Sequence, residues 1–324
     1  MPAFEAKFDV LEKFDGKFCE FLNVQEKLTG SNFMAKKFKQ PCRKKENLVN
    51  CPEIVLMQRV PYHEHVFGLM DYFVDTFGDR ITFLYDTVDI KLRDMLKDTK
   101  GGFPEKLAKN YLNQIASGLD HLHKHGFFHR NINPDNILVK DYSGCPRGSE
   151  IFKLAGLENS RGMYSLPPYT ETVPSNRYKP PECILTAGQY GSKVDIWALG
   201  CVFYELLKQK QLFRGHSDIE QLDRIQSILG TPRSILSLKN KNSVEPVFKN
   251  RAGIGLDQLL GEVSLRGRHL LKAMLQYEPE QRINAKRLLK HPYFTEPIQE
   301  KYKGRCEPES WTKNKNIVKK IYKC

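Results

Sequence analysis

The chain has 324 residues, 40% of them apolar and 27% charged, with a formal charge of +13. That is an ordinary globular composition, long enough for one large domain or two lobes with a sizeable core. Its longest apolar or small run, Ile196 to Tyr204, falls far short of the ~20 residues of a membrane span, and the N-terminus carries Glu5 and no long apolar stretch, so neither a transmembrane segment nor a signal peptide is expected. Eight cysteines without a CxxC pair predict reduced thiols, as in the cytosol, with no disulfide framework and no metal site. The positive charge favours acidic partners, such as an acidic protein surface, nucleic acid or anionic lipid. Aromatic and basic residues do not interleave as in single-strand binders, so nucleic acid is not expected.

In chain order, residues 7–40 alternate apolar and polar groups and are broken by Asp15-Gly16 and Thr29-Gly30-Ser31, which predicts three short antiparallel strands. Asn47 to Val60 has helical spacing, with Pro52 tolerable only in the first turn. Ile81 to Tyr85 reads as a strand. Beyond residue 89 the pattern turns helical, with helices predicted over Leu107–His125, Val194–Leu207, Ile219–Leu229 and Leu265–Leu275. A small β-rich lobe before a larger helical one implies a cleft between them. Residues 300–324 hold eight Lys or Arg against three Glu and little periodicity, and read as a basic extension with Trp311 as an anchor.

The most informative stretch is His129-Arg130-Asn131-Ile132-Asn133-Pro134-Asp135-Asn136. It is followed by Phe152-Lys153-Leu154-Ala155-Gly156-Leu157-Glu158, Tyr178-Lys179-Pro180-Pro181-Glu182, Val194-Asp195-Ile196-Trp197-Ala198-Leu199-Gly200, Leu229-Gly230-Thr231-Pro232 and His291-Pro292-Tyr293-Phe294. In this order the motifs resemble those of protein kinases, of the CMGC group and its MAK/MOK-like branch, over roughly residues 8–295. The resemblance implies an α+β, bilobal kinase-like fold, with a β-rich N-lobe over 1–88, a helical C-lobe over 89–296 and the basic extension over 297–324.

It also implies roles for single residues. Lys36 matches the strand-three lysine, Glu53 the helix glutamate that pairs with it, Asn136 the metal-binding asparagine, and Gly16 what remains of the glycine-rich loop. Asp195 matches the brace of the catalytic loop. Glu182 and Arg282 match a buried ion pair. Met57, His129 and Leu157 match a hydrophobic spine in which Leu157 stands for a Phe.

Other matching positions depart from the pattern. Asn131 stands for the catalytic Asp, Asn133 for the following Lys, and Gly156 for the metal-binding Asp, with Glu158 two positions on. An amide cannot serve as a carboxylate base. Phe14 replaces the first loop glycine. Phe21, Met34 and Tyr85 add bulk where a nucleotide base would enter, and an overfilled site admits a ligand only with strain. Asn176 and Lys179 replace arginines of the substrate loop, and Thr170-Glu171-Thr172 lacks the branch's tyrosine.

These losses predict a catalytically inactive kinase-like binding or scaffold module, not an enzyme. No intact catalytic residue, no metal and no cofactor beyond weak ATP binding are expected. The alternatives are a divergent active Ser/Thr kinase of the MAK/MOK type and a nucleotide-binding sensor. The branch's association with cilia and flagella implies a cytoplasmic, ciliary or axonemal setting, with tubulin or axonemal proteins as acidic partners.

Overall fold

The computed structural model describes residues 4–40, 51–75, 80–99, 101–140, 146–163, 176–186, 188–232 and 251–297. After one helical turn, α1 (Phe4–Lys7), the alternating segments form β1 (Phe8–Asp15), β2 (Cys19–Glu26) and β3 (Asn32–Phe38). The helix expected over 47–60 is α2 (Pro52–Arg59); its first residue is the proline, which gives up an N–H that has no partner in a first turn. Residues 47–50 of that expectation lie outside the described residues.

With β4 (Asp71–Val74) and β5 (Ile81–Tyr85), these strands build an antiparallel sheet of order β1-β2-β3-β5-β4. Period-two alternation gives the sheet two buried faces. One carries Phe21, Met34, Phe83 and Tyr85. The other carries Phe8, Leu22, Val24, Ala35 and Leu84 and is covered by α1, whose Phe4 ring lies 5.1 Å from Phe8 and 5.4 Å from Phe73.

Beyond β5 the chain enters the helical region through β6 (Ile90–Lys91), α3 (Leu92–Lys97) and α4 (Glu105–Lys124). The apolar spacing of α4 buries Tyr111, Leu112, Ile115, Ala116 and Leu119 as one stripe. After β7 (Phe127–Phe128), two strands the helical pattern concealed appear: β8 (Ile137–Lys140) pairs with β6 and with β9 (Ile151–Leu154). The short β10 (Arg161–Gly162) pairs with β7. Then come α5 (Pro181–Leu185), α6 (Lys193–Lys208), α7 (Asp218–Leu229), α8 (Leu256–Leu260) and α9 (Leu265–Met274), followed by α10 (Ala285–Leu289) and α11 (Pro292–Thr295). Every residue of α6 from Val194 to Leu207 is buried, which explains its lack of a polar face.

The two regions meet edge to edge. Val66 bridges Leu154, and the Phe67 N–H donates to the Leu154 carbonyl at 2.7 Å. Lys153, 3% exposed, donates to the Glu64 carbonyl at 2.7 Å and lies 3.3 Å from the Asp86 carboxylate, which also holds Lys140. The architecture is the bilobal α+β arrangement expected. No helix among the described residues is long and apolar enough to cross a membrane.

Candidate active site

The site lies where β3, α2 and β5 face the loop between β7 and β8. That loop is shaped from below by one side chain. The Asp195 carboxylate accepts the backbone N–H groups of His129 at 2.8 Å and Arg130 at 2.7 Å, and His123 Nε2 at 2.8 Å. Burial alone would raise its pKa, but the hydrogen bond and charge of His123 and the His129 amide hold it below the ordinary carboxylate value. Burial pushes the His129 pKa down, and its Nε2 sits 2.7 Å from the Ala155 carbonyl. Arg130 adopts a φ of 67°, and its guanidinium donates to the Tyr190 hydroxyl at 2.7 and 3.1 Å.

The three asparagines close on one another. Asn133 Nδ2 donates to Asn131 Oδ1 at 2.9 Å and to the Asn131 carbonyl at 3.0 Å. Asn133 Oδ1 accepts the Asp135 N–H at 2.9 Å. Asn136 Nδ2 donates to the Asn131 carbonyl at 2.9 Å. The substitutions at 131 and 133 thus complement each other, since an amide opposite an amide supplies donor and acceptor without charge.

Gly156 adopts a φ of 78°, and a Cβ there would lie 2.6 Å from Asn136 Cγ and Nδ2. The Asn136 amide therefore occupies the space in front of position 156. Glu158 is exposed and accepts from Asn159 Nδ2 at 3.1 Å. No group of three or more His, Cys, Asp or Glu side chains among the described residues is arranged to hold a metal. These residues do not fit the carboxylate-held magnesium ion that the kinase pattern implies.

On the opposite wall, the expected ion pair between Lys36 and Glu53 is not formed. Lys36 Nζ lies over the Phe38 ring, 5.1 Å from its centroid, and Glu53 accepts from the Cys51 thiol at 3.2 Å. The ring face attracts the ammonium, and the thiol sits just ahead of the first turn of α2, where Glu53 is within reach. Burial first, and then the Glu53 charge and hydrogen bond, push the Cys51 thiol up to about 11. Gly16 has a structural reason of its own, because a Cβ there would lie 2.8 Å from the Cys19 carbonyl oxygen in the tight β1–β2 turn.

Phe21, Met34 and Tyr85 are each less than 8% exposed and share one apolar cluster with Leu138 and Ala155 of the helical lobe. Phe14 packs against the same cluster, and Tyr85 stacks on Phe67 at 5.3 Å. Leu157 packs with Leu56 and Val66, Met57 packs with the other cluster, and a cavity of about 390 Å³ opens beside both.

Beneath the site, Glu182 and Arg282 form the expected buried pair at 2.6 and 3.1 Å. Lys179 is tied to Asp218 at 2.7 Å. The structure adds Arg93, which joins Asp135, Glu205 and Tyr178 beneath the loop. Tyr190, His123 and Arg93 had no visible signal in the sequence, because their partners lie 42–112 positions away. Thr170, Glu171, Thr172 and the extension from 298 onward lie outside the described residues, and so does the side chain of Asn176.

A sheet-based lobe over a helical lobe, with a braced loop between them, is the architecture of the protein kinases. The protein kinase domain profile matches residues 15–294, and the chain belongs to that family. Its relatives are of the MAK/MOK type. The chain is 31% identical over 284 residues to human MAPK/MAK/MRK overlapping kinase, covering 87% of this chain and 66% of that protein. It is 30% identical over 283 residues to human serine/threonine-protein kinase MAK, covering 86% of this chain and 44% of that protein. It is 34% identical over 237 residues to the sporulation protein kinase mde3 of Schizosaccharomyces pombe, covering 71% and 42%. The chain thus spans between 42% and 66% of these relatives' lengths. That such relatives are named as serine/threonine and sporulation protein kinases overturns the expectation that this chain is not an enzyme.

Proposed function

We propose that this chain is a divergent serine/threonine protein kinase domain of the MAK/MOK type, moving the γ-phosphoryl group of ATP to a protein hydroxyl. The observation that carries this reading is the loop braced by Asp195, which holds Asn131 in a fixed frame between the lobes. Phosphoryl transfer passes through a loose transition state in which the protein supplies mainly positioning and electrostatic stabilisation. Asn131 Oδ1 is placed to orient a hydroxyl once it gives up the hydrogen bond from Asn133. It does not take the proton, which passes to solvent as the bond to the departing ADP breaks, and a missing general base costs about 10²- to 10⁴-fold. Against the ~1–100 s⁻¹ of kinases, loss of the base alone limits the turnover to about 10⁻⁴ to 1 s⁻¹ at most.

Lys36, on β3, is the residue that the kinase pattern sets against the phosphates. ATP entry requires Phe21, Met34 and Tyr85 to turn aside, so weak affinity is expected. The test is transfer of radiolabelled γ-phosphate from ATP to a mixed Ser/Thr peptide library, by the chain and its Lys36→Met and Asn131→Ala variants. Incorporation no higher than that of Lys36→Met would sink the reading.

The same proposal divides the chain into lobes over 1–88 and 89–296 and a basic extension over 297–324. It gives the extension an acidic protein partner, tubulin or an axonemal protein, in a ciliary setting. The charge of +13 and the resemblance to a ciliary branch support this. Partner capture unchanged by deleting 297–324 and by high salt, which screens exposed charges, would remove it.

A further inference from the structure

We propose that His121 and His125, one turn apart at the end of α4, form a two-nitrogen site for a divalent transition-metal ion that takes its ligands at right angles, such as Ni²⁺. Residues four apart lie one above the other on a helix face. Each ring spends one N–H on a backbone carbonyl. His121 Nε2 donates to the Pro61 carbonyl at 2.8 Å, and His125 Nδ1 donates to the His121 carbonyl at 2.8 Å. A carbonyl only accepts, so these bonds fix both tautomers and leave lone pairs on His121 Nδ1 and His125 Nε2. Neither of those nitrogens has a hydrogen-bond partner among the described residues. An imidazole whose other nitrogen is tied down in this way is already oriented and is the more basic ligand. His121 is held further by stacking on His63, with 4.6 Å between ring centres.

The spacing selects the geometry of the ion. The two ring centres lie 4.4 Å apart. With metal–nitrogen bonds of about 2.1 Å and about 1.1 Å from nitrogen to ring centre, that separation corresponds to roughly 90° at the ion, whereas tetrahedral ligands would stand ~5.2 Å apart. Right-angled positions belong to square-planar and tetragonal ions, and zinc prefers the tetrahedron. The C-terminus of a helix of 20 residues also favours a cation, because its last carbonyls gather negative charge. Lys124, between the two histidines in sequence, is paired with Asp120 at 2.6 Å. Neighbouring histidines do not add a third ligand. His63 Nδ1 accepts the His65 N–H at 3.1 Å, and its Nε2 lies 3.4 Å from Ser117 Oγ. The other close pair is closed on itself, since His291 Nδ1 accepts the Tyr293 N–H and its Nε2 therefore carries the proton shared with His269 Nδ1 at 2.8 Å. Water fills the remaining positions of the ion.

The test is calorimetric titration of the untagged full chain with Ni²⁺ and with Zn²⁺. His121→Gln and His125→Gln each keep a donor for the carbonyl but offer no imidazole nitrogen, and His269→Gln is the control. A Kd for Ni²⁺ of about 100 μM or tighter is expected, weakened about tenfold or more in either of the first two variants and unchanged in the control, with Zn²⁺ binding more weakly. In wild-type chain labelled at histidine ring nitrogens, substoichiometric paramagnetic Ni²⁺ is expected to broaden His121 and His125 first and to leave His269 and His291 sharp. If a variant lowers Tm, these ring signals decide alone. Absence of saturable binding, equal binding by stably folded His121→Gln and His125→Gln chains, broadening that begins at another histidine, or Zn²⁺ binding tighter than Ni²⁺ would each overturn the proposal.

Discussion

Removing the Glu182 carboxylate is expected to destabilise this protein more than any single change at the surface. The Arg282 side chain is fully buried and Glu182 nearly so. The guanidinium donates to both Glu182 oxygens, at 2.6 and 3.1 Å, to the Lys193 carbonyl at 2.8 Å, and to the Gln276 carbonyl at 2.9 and 3.1 Å. Glu182→Ala leaves these carbonyl contacts intact but strands a full positive charge in the core. Breaking such a pair from one side costs about 3–5 kcal/mol. Against a total stability of about 5–15 kcal/mol, that is roughly a fifth or more. Arg282 stands over the Trp197 ring at 5.0 Å, so tryptophan fluorescence in a urea titration reads the transition where the change is made. Replacing both partners, as Glu182→Ala with Arg282→Met, removes the stranded charge and should recover at least ~1 kcal/mol relative to Glu182→Ala. A loss below ~1 kcal/mol in Glu182→Ala, or a double variant no more stable than the single one, would refute the reasoning.

Three further outcomes are expected. Combining Phe21→Val with Met34→Ala should tighten ATP binding about tenfold or more in calorimetry, while the lost burial costs several kcal/mol in urea; unchanged affinity would mean that these side chains are not the obstacle. Gly156→Asp should bind Mg²⁺ no better than the parent and should melt lower, because its Cβ would meet the Asn136 amide at 2.6 Å; a restored magnesium site without any change at Asn136 contradicts this. His63 should make the fold acid-sensitive. Its folded pKa of about 4 lies below the unfolded value of 6.5, so the unfolded chain binds more protons between those values. The stability this neutral ring contributes is present above 6.5 and lost as pH falls toward 4, and a Tm-against-pH curve that His63→Gln does not flatten would exclude it.

Strands β1–β3 were legible because each alternates with period two and is bounded by a turn signal. Helices α4, α6, α7 and α9 were legible because their apolar spacing holds over ten residues or more. Strands β8 and β9 were not, since four-residue runs match either period. The motif order placed Asp195, Glu182 and Arg282 in a kinase fold, and the structure has their contacts.

What the sequence determined by itself was local pattern and residue chemistry: amides at 131 and 133, no side chain at 156, and a lobe order that identifies the family. Only the tertiary structure decided which groups spend their hydrogen bonds on one another. It turned Lys36 to Phe38 instead of Glu53, closed the three asparagines into one network, and gave Arg130 to Tyr190. It also opened a cavity beside Leu157 that no residue pattern marks. The physical reason is one of range. Periodicity and turn chemistry act over a few positions, whereas partner choice among long side chains and the volume left between elements depend on packing across the whole fold.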